Sequence, residues 1–153
     1  MKLRIGLVSL LLASGLACAA DVEVSEAWAR ATVAQQKASG VFMRLLAHRD
    51  CRLLAAASPR AATVEVHEMR IDNEVMKMSP IEGLDLPAGK VVELKPGGFH
   101  LMLLDLKQRL QVGEQLPLSL VVQCGSDAAH TIELSAEIRP LSAAAGMPSA
   151  HGH

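Results

Sequence analysis

The chain has no tyrosine, and only three other aromatics, Trp28, Phe42 and Phe99, occur in its 153 residues. So few rings exclude a stacking platform for bases or sugars. Neither sign of charge is in excess, with 15 basic against 16 acidic side chains, which excludes a basic nucleic-acid binder. Disorder is excluded too, because 50% of the residues are hydrophobic. There is no Gly-x-Ser-x-Gly elbow, and His67-Glu68 runs on into Met69-Arg70-Ile71 without the second histidine of a zinc-protease helix. An exported hydrolase therefore lacks its motif. What the chain does have is thioether and imidazole, as seven methionines and six histidines. Its length fits one domain.

Met1 to Ala20 reads as a secretory signal peptide. Lys2 and Arg4 precede an apolar run from Ile5 to Leu12, and small residues close the segment at Ala17-Cys18-Ala19-Ala20, with cleavage expected near Ala19 or Ala20. The uncharged stretch from Ile5 to Ala20 is short for a membrane span, and no other segment is long enough, so no stable membrane insertion is expected after signal removal. Cys18 sits where a lipid-modified cysteine could, which makes a lipoprotein the alternative. Gly15, three positions earlier, replaces the usual leucine and weighs toward soluble export. Two cysteines then remain, Cys51 and Cys124. An even pair in an oxidising compartment predicts a disulfide worth roughly 3–4 kcal/mol, with two free thiols as the alternative.

Period-two alternation dominates the rest. Val22 to Ser25, Ala38 to Ala47, Thr63 to Met69, Val75 to Met78, Val91 to Leu94, Phe99 to Leu106, Leu116 to Val122 and Thr131 to Ile138 read as strands. Asp72-Asn73 predicts a hairpin turn, Lys95-Pro96-Gly97-Gly98 a second turn, and Arg30 to Lys37 a loop. Such a run of short strands predicts an all-β antiparallel sandwich or barrel over residues 21–140, with an aliphatic core. Residues 141–153 read as a flexible tail holding Met147, His151 and His153.

His67 and Met69, Met76 and Met78, and His100 and Met102 each stand two apart, so each pair shares a face of its strand. Thioether sulfur is soft and neutral and suits Cu(I), whereas zinc prefers thiolate, imidazole and carboxylate. Thioethers also survive an oxidising compartment, where paired thiols would be lost to a disulfide. A strand methionine taken singly is more often core filler, and a strand histidine more often a surface or satisfied residue.

The joint spacing is more specific. His67, ten residues, Met78, twenty-one residues, then His100-Leu101-Met102 resembles the signature of the periplasmic copper chaperone PCu(A)C family, His-x10-Met-x21-His-x-Met. The resemblance runs from about Val22 to Pro140 and takes in Val75-Met76-Lys77-Met78, Leu86-Pro87-Ala88-Gly89 and Leu94-Lys95-Pro96-Gly97-Gly98. It implies a cupredoxin-like antiparallel β-sandwich of Greek-key type. It also implies a monomeric, non-enzymatic periplasmic protein that binds one Cu(I) at a partly exposed site through His67, Met78, His100 and Met102. Met69 and Met76 are then neighbours that shield or compete. The family is linked to cytochrome c oxidase copper-centre assembly, which implies a Sco-type copper protein and oxidase subunit II as partners. Met147, His151 and His153 resemble the His- and Met-bearing extensions of some members, which implies a secondary copper site, including for Cu(II). His48 and His130 have no role in this reading.

Other readings share parts of this pattern. A periplasmic copper storage or tolerance protein would use the same ligands. A blue-copper electron carrier needs a thiolate beside two histidines and a weak methionine, and a Cys51–Cys124 bridge would remove the thiolate. A metal-free adhesion sandwich would share only the fold.

Overall fold

The alternation becomes ten strands in the computed structural model, which describes residues 20–143. They are β1 (Val22–Arg30), β2 (Ser39–Ala47), β3 (Cys51–Ala57), β4 (Ala61–Asp72), β5 (Val75–Pro80), β6 (Leu84–Leu86), β7 (Val91–Leu94), β8 (His100–Leu106), β9 (Gln115–Cys124) and β10 (His130–Arg139). The expected signal segment and the tail residues Met147, His151 and His153 lie outside the described residues.

Side by side the strands run β5-β4-β8-β2-β1-β10-β9-β3-β6, and β3 also pairs with β4 through Ala56 and Val64. The sheet thus closes on itself as a barrel-like sandwich. Neighbours such as β8 and β2, or β9 and β3, are distant in sequence, as Greek-key connections require. All pairings are antiparallel except that of β1 with β10, which is parallel through Trp28 and Glu137.

One side of each strand builds the core. Val41, Met43 and Leu45 of β2, Leu101 and Leu103 of β8, and Leu116, Leu118, Leu120 and Val122 of β9 are all buried there. Each such side chain contributes roughly 1.5–3 kcal/mol by leaving water. The core is aliphatic, as expected; Phe99 packs only partly against it.

Strands β3 and β6 are absent from the sequence reading. Leu53-Leu54-Ala55-Ala56-Ala57 is continuously apolar and alanine-rich, so it carries no period-two signal. It becomes a strand through its partners. Leu53 lies opposite Val122 and Ala55 opposite Val121, with a bulge between them. Cys51 lies opposite Cys124, and the two are joined by a disulfide across β3 and β9, 73 positions apart in sequence.

Two turns position the site. Asn73 and Glu74 link β4 to β5 with φ of 49° and 65°, the paired left-handed geometry of a two-residue hairpin. The Lys95-Pro96-Gly97-Gly98 turn does not reverse the chain. Leu94 lies opposite Met43 and Leu101 opposite Val41, so β7 and β8 follow one line along β2, and the segment between them is an excursion. It is closed by Lys95 N–H donating to Phe99 O at 2.8 Å and Gly98 N–H to Lys95 O at 3.0 Å. Gly97, at φ +84°, supplies the left-handed step.

Candidate metal centre

The core takes Val64 and Val66 of β4 and Leu101 and Leu103 of β8, so the intervening residues face outward. The outward set includes Glu65, His67 and Met69 on β4, and His100 and Met102 on β8. Across the ladder, His67 stands opposite His100, and Glu65 opposite Met102. On the other flank of β4, Met69 stands opposite Met78, and Ile71 opposite Met76. All six residues singled out by spacing therefore share one outer face of the sandwich.

They do not share one environment. Met69, Met78, His100 and Met102 line a single open pocket of about 220 Å³, together with Pro96 and Gly97 of the excursion and Phe42 of β2. His67 is not part of the lining but lies against it, its ring centroid 5.7 Å from that of His100. Met76 points away into solvent at the hairpin and is 59% exposed. The imidazoles are the buried side of the site, His67 at 9% and His100 at 4% exposure, while Met78, on the edge strand β5, is 46% exposed.

Each imidazole has one nitrogen tied to an oxygen. His67 Nε2–H donates to the Glu65 carboxylate at 2.7 Å. His100 Nδ1–H donates to the Gly98 carbonyl at 3.0 Å. Because both partners only accept, these nitrogens carry the protons, and in the neutral rings the lone pairs fall on His67 Nδ1 and His100 Nε2. His67 Nδ1 is buried with no hydrogen-bond partner, a costly state for a polar atom unless something else fills its lone pair. An oxygen on the far nitrogen is the arrangement that fixes a metal-binding tautomer. His100 is held below the ordinary histidine pKa mainly by burial, although its bond to Gly98 opposes this; the charge of Arg30 acts in the same direction as burial. A neutral imidazole is the metal-binding form.

Among the described residues no group of three or more His, Cys, Asp and Glu side chains could hold a metal ion. The side-chain donors gathered here are imidazole and thioether, a set that suits a soft monovalent ion better than zinc, magnesium or calcium.

Three parts of the site were not read from the sequence. Glu65 orients His67, yet its only sequence cue is a position two before that residue. The Gly98 carbonyl accepts both from His100 and from Met69 N–H, at 3.2 Å, and backbone atoms leave no trace in composition. Trp28 and Phe42 stack behind His100, with centroids 4.6 Å apart and Phe42 6.3 Å from His100. Two of the three aromatics thus support the site rather than the core. Gly40 makes room for this stack, since a Cβ there would stand 2.8 Å from Phe42 Cζ. His48 is an exposed residue whose Nε2 bonds Glu23 at 2.7 Å, and His130 is exposed at the start of β10.

The model of the family described as "Putative lipoprotein LpqE-like" matches residues 22–137, three quarters of the chain. The chain belongs to the LpqE-like family. Among relatives of this LpqE-like protein is "Putative lipoprotein Lxx21020" of Leifsonia xyli, 30% identical over 106 residues, which are 69% of this chain and 64% of that protein. The matched region thus spans less than two thirds of that relative's length.

The apo PCuAC domain from PmoF1 superposes on the LpqE-like chain with a TM-score of 0.65 at 22% identity, covering 79% of this chain and 95% of that domain. The solution structure of CuI-DR1885 from Deinococcus radiodurans gives a TM-score of 0.55 at 25% identity, covering 76% of each chain. The PCu(A)C resemblance read from the spacing therefore holds for the family and for the cupredoxin-like fold.

Proposed function

We propose that this LpqE-like protein is a periplasmic copper chaperone, a binding and delivery protein rather than an enzyme. It takes up one Cu(I) through His67, Met78, His100 and Met102. The observation that carries this reading is the pairing of two imidazoles, each oriented by an oxygen on one ring nitrogen, with thioethers on the same outer face. The likeness to CuI-DR1885 and to the PmoF1 PCuAC domain supports it.

The burial gradient sets the order of exchange. Met78 is on an edge strand and open to solvent, whereas both histidines are buried. An incoming donor displaces the exposed thioether first and the imidazoles last, so Cu(I) leaves by successive substitution without redox chemistry. Met69 lies opposite Met78 in the same pocket and can hold the ion while Met78 exchanges. The acceptors in this reading are a Sco-type protein and cytochrome c oxidase subunit II, during oxidase copper-centre assembly. Export places the chain in the periplasm after loss of the signal. The relatives' description as lipoproteins supports the alternative of a lipid anchor at Cys18, which mass spectrometry of the exported protein distinguishes from soluble release.

The test is Cu(I) titration of the exported protein against a chromophoric chelator. The wild type is expected to bind one tight equivalent, Met76→Leu to match it, and Met78→Leu/Met102→Leu to lose it while remaining folded. Equal uptake by the double variant would mean that the thioethers are packing residues.

A further inference from the structure

The pocket that takes in Met69, Met78, His100 and Met102 has one charged lining residue, Arg30 at the end of β1. Its guanidinium carbon stands 5.5 Å from the Phe42 ring centroid, on the stack that backs His100. Among the described residues the Arg30 side chain makes no ion pair and donates no hydrogen bond, and its Nε is buried without a partner. No carboxylate lines the pocket to balance it. An arginine that is partly desolvated, unpaired and aimed into a pocket is an anion-binding element.

A fixed cation beside a site for a cation weakens resting affinity and attracts any anionic donor that approaches. The chemistry of that anion follows from the two partners it must satisfy. A carboxylate or phosphate suits Arg30 but is a hard, poor ligand for Cu(I); a neutral thioether suits Cu(I) but gains nothing from Arg30. A thiolate satisfies both. We propose that Arg30 docks the thiolate of the copper acceptor as it enters the pocket, a step that rests on the copper reading above. The thiolate sulfur forms a bond to Cu(I) as the Met78 sulfur bond breaks, and the remaining protein ligands follow. Copper stays Cu(I) throughout. When the acceptor arrives as a thiol, its proton passes to water.

The experiment uses the exported full chain as wild type, Arg30→Gln and Arg30→Lys, each loaded with Cu(I). Transfer is followed to 2-mercaptoethanol as its thiolate and, separately, to the neutral chelator neocuproine. Arg30→Gln is expected to slow the thiolate reaction about tenfold while leaving the neocuproine reaction within about twofold, and Arg30→Lys to restore most of the thiolate rate. Equal slowing with both acceptors would assign Arg30 to packing on Phe42 and overturn the proposal, as would no change with either.

A copper-free measurement separates this idea from the copper reading itself. The Arg30 Nε–H resonance of the metal-free protein is expected to shift saturably with thiocyanate, a soft anion, and a linear, non-saturating response would count against docking. If the wild type takes up no Cu(I) yet shows the saturable shift, the copper reading fails and the anion site stands.

Discussion

A histidine buried beside another histidine is useful to a metal only if its proton is held on the correct nitrogen. Glu65 does this for His67 and the Gly98 carbonyl does it for His100. Because removing such partners costs about 10–100-fold in metal affinity, Glu65→Leu is expected to weaken Cu(I) binding by roughly that factor, whereas Glu65→Gln, whose amide oxygen can still accept, loses less. Chelator competition reads both, and unchanged affinity in Glu65→Leu would show that His67 needs no orientation. That the His and Met residues of the candidate site share an outer face was legible in the sequence, because they stand on strands at period two. Glu65, Phe42 and Arg30 were not, because what assigns them to the site is a cross-strand or stacking neighbour, and neither leaves a local pattern.

The elements show where alternation is informative and where it stops. Eight strands alternate clearly enough to be read, but β3 is a run of leucine and alanine made extended by β9, and β6 has only three residues. The Pro-Gly-Gly turn was legible as a turn. That it returns the chain to the same line along β2, bringing Pro96 and Gly97 to the pocket, depends on β2 pairing with β7 and then β8. The β4–β5 hairpin carries Met69 and Met78, and its turn places Glu74 at φ 65°, a left-handed conformation that costs a side chain roughly 1–2 kcal/mol. Glu74→Gly is therefore expected to stabilise the protein by up to about 1 kcal/mol, after the entropy glycine adds to the unfolded chain. Urea unfolding measures it, and a lower midpoint would mean that Glu74 has compensating contacts.

At the scale of the molecule, packing and function are assigned to opposite faces of the same strands. The inner faces form an aliphatic core, and the outer face of β2, β4, β5 and β8 holds the pocket. The disulfide joins β3 to β9, neither of which carries a pocket residue. Cys51→Ala/Cys124→Ala is thus expected to lose about 2–4 kcal/mol of stability. Its Cu(I) affinity at a temperature where it stays folded should equal the wild type's, so calorimetric unfolding and chelator competition on the same variant separate the two roles. A parallel loss of affinity would show that the bridge tensions the site.

The ligand set is the centre of this account, and copper K-edge X-ray absorption of the Cu(I)-loaded protein examines it directly. The expected spectrum is that of Cu(I) bound by two imidazole nitrogens and two thioether sulfurs, with the sulfur contribution reduced in Met78→Leu. A first coordination shell of nitrogen and oxygen alone would contradict it.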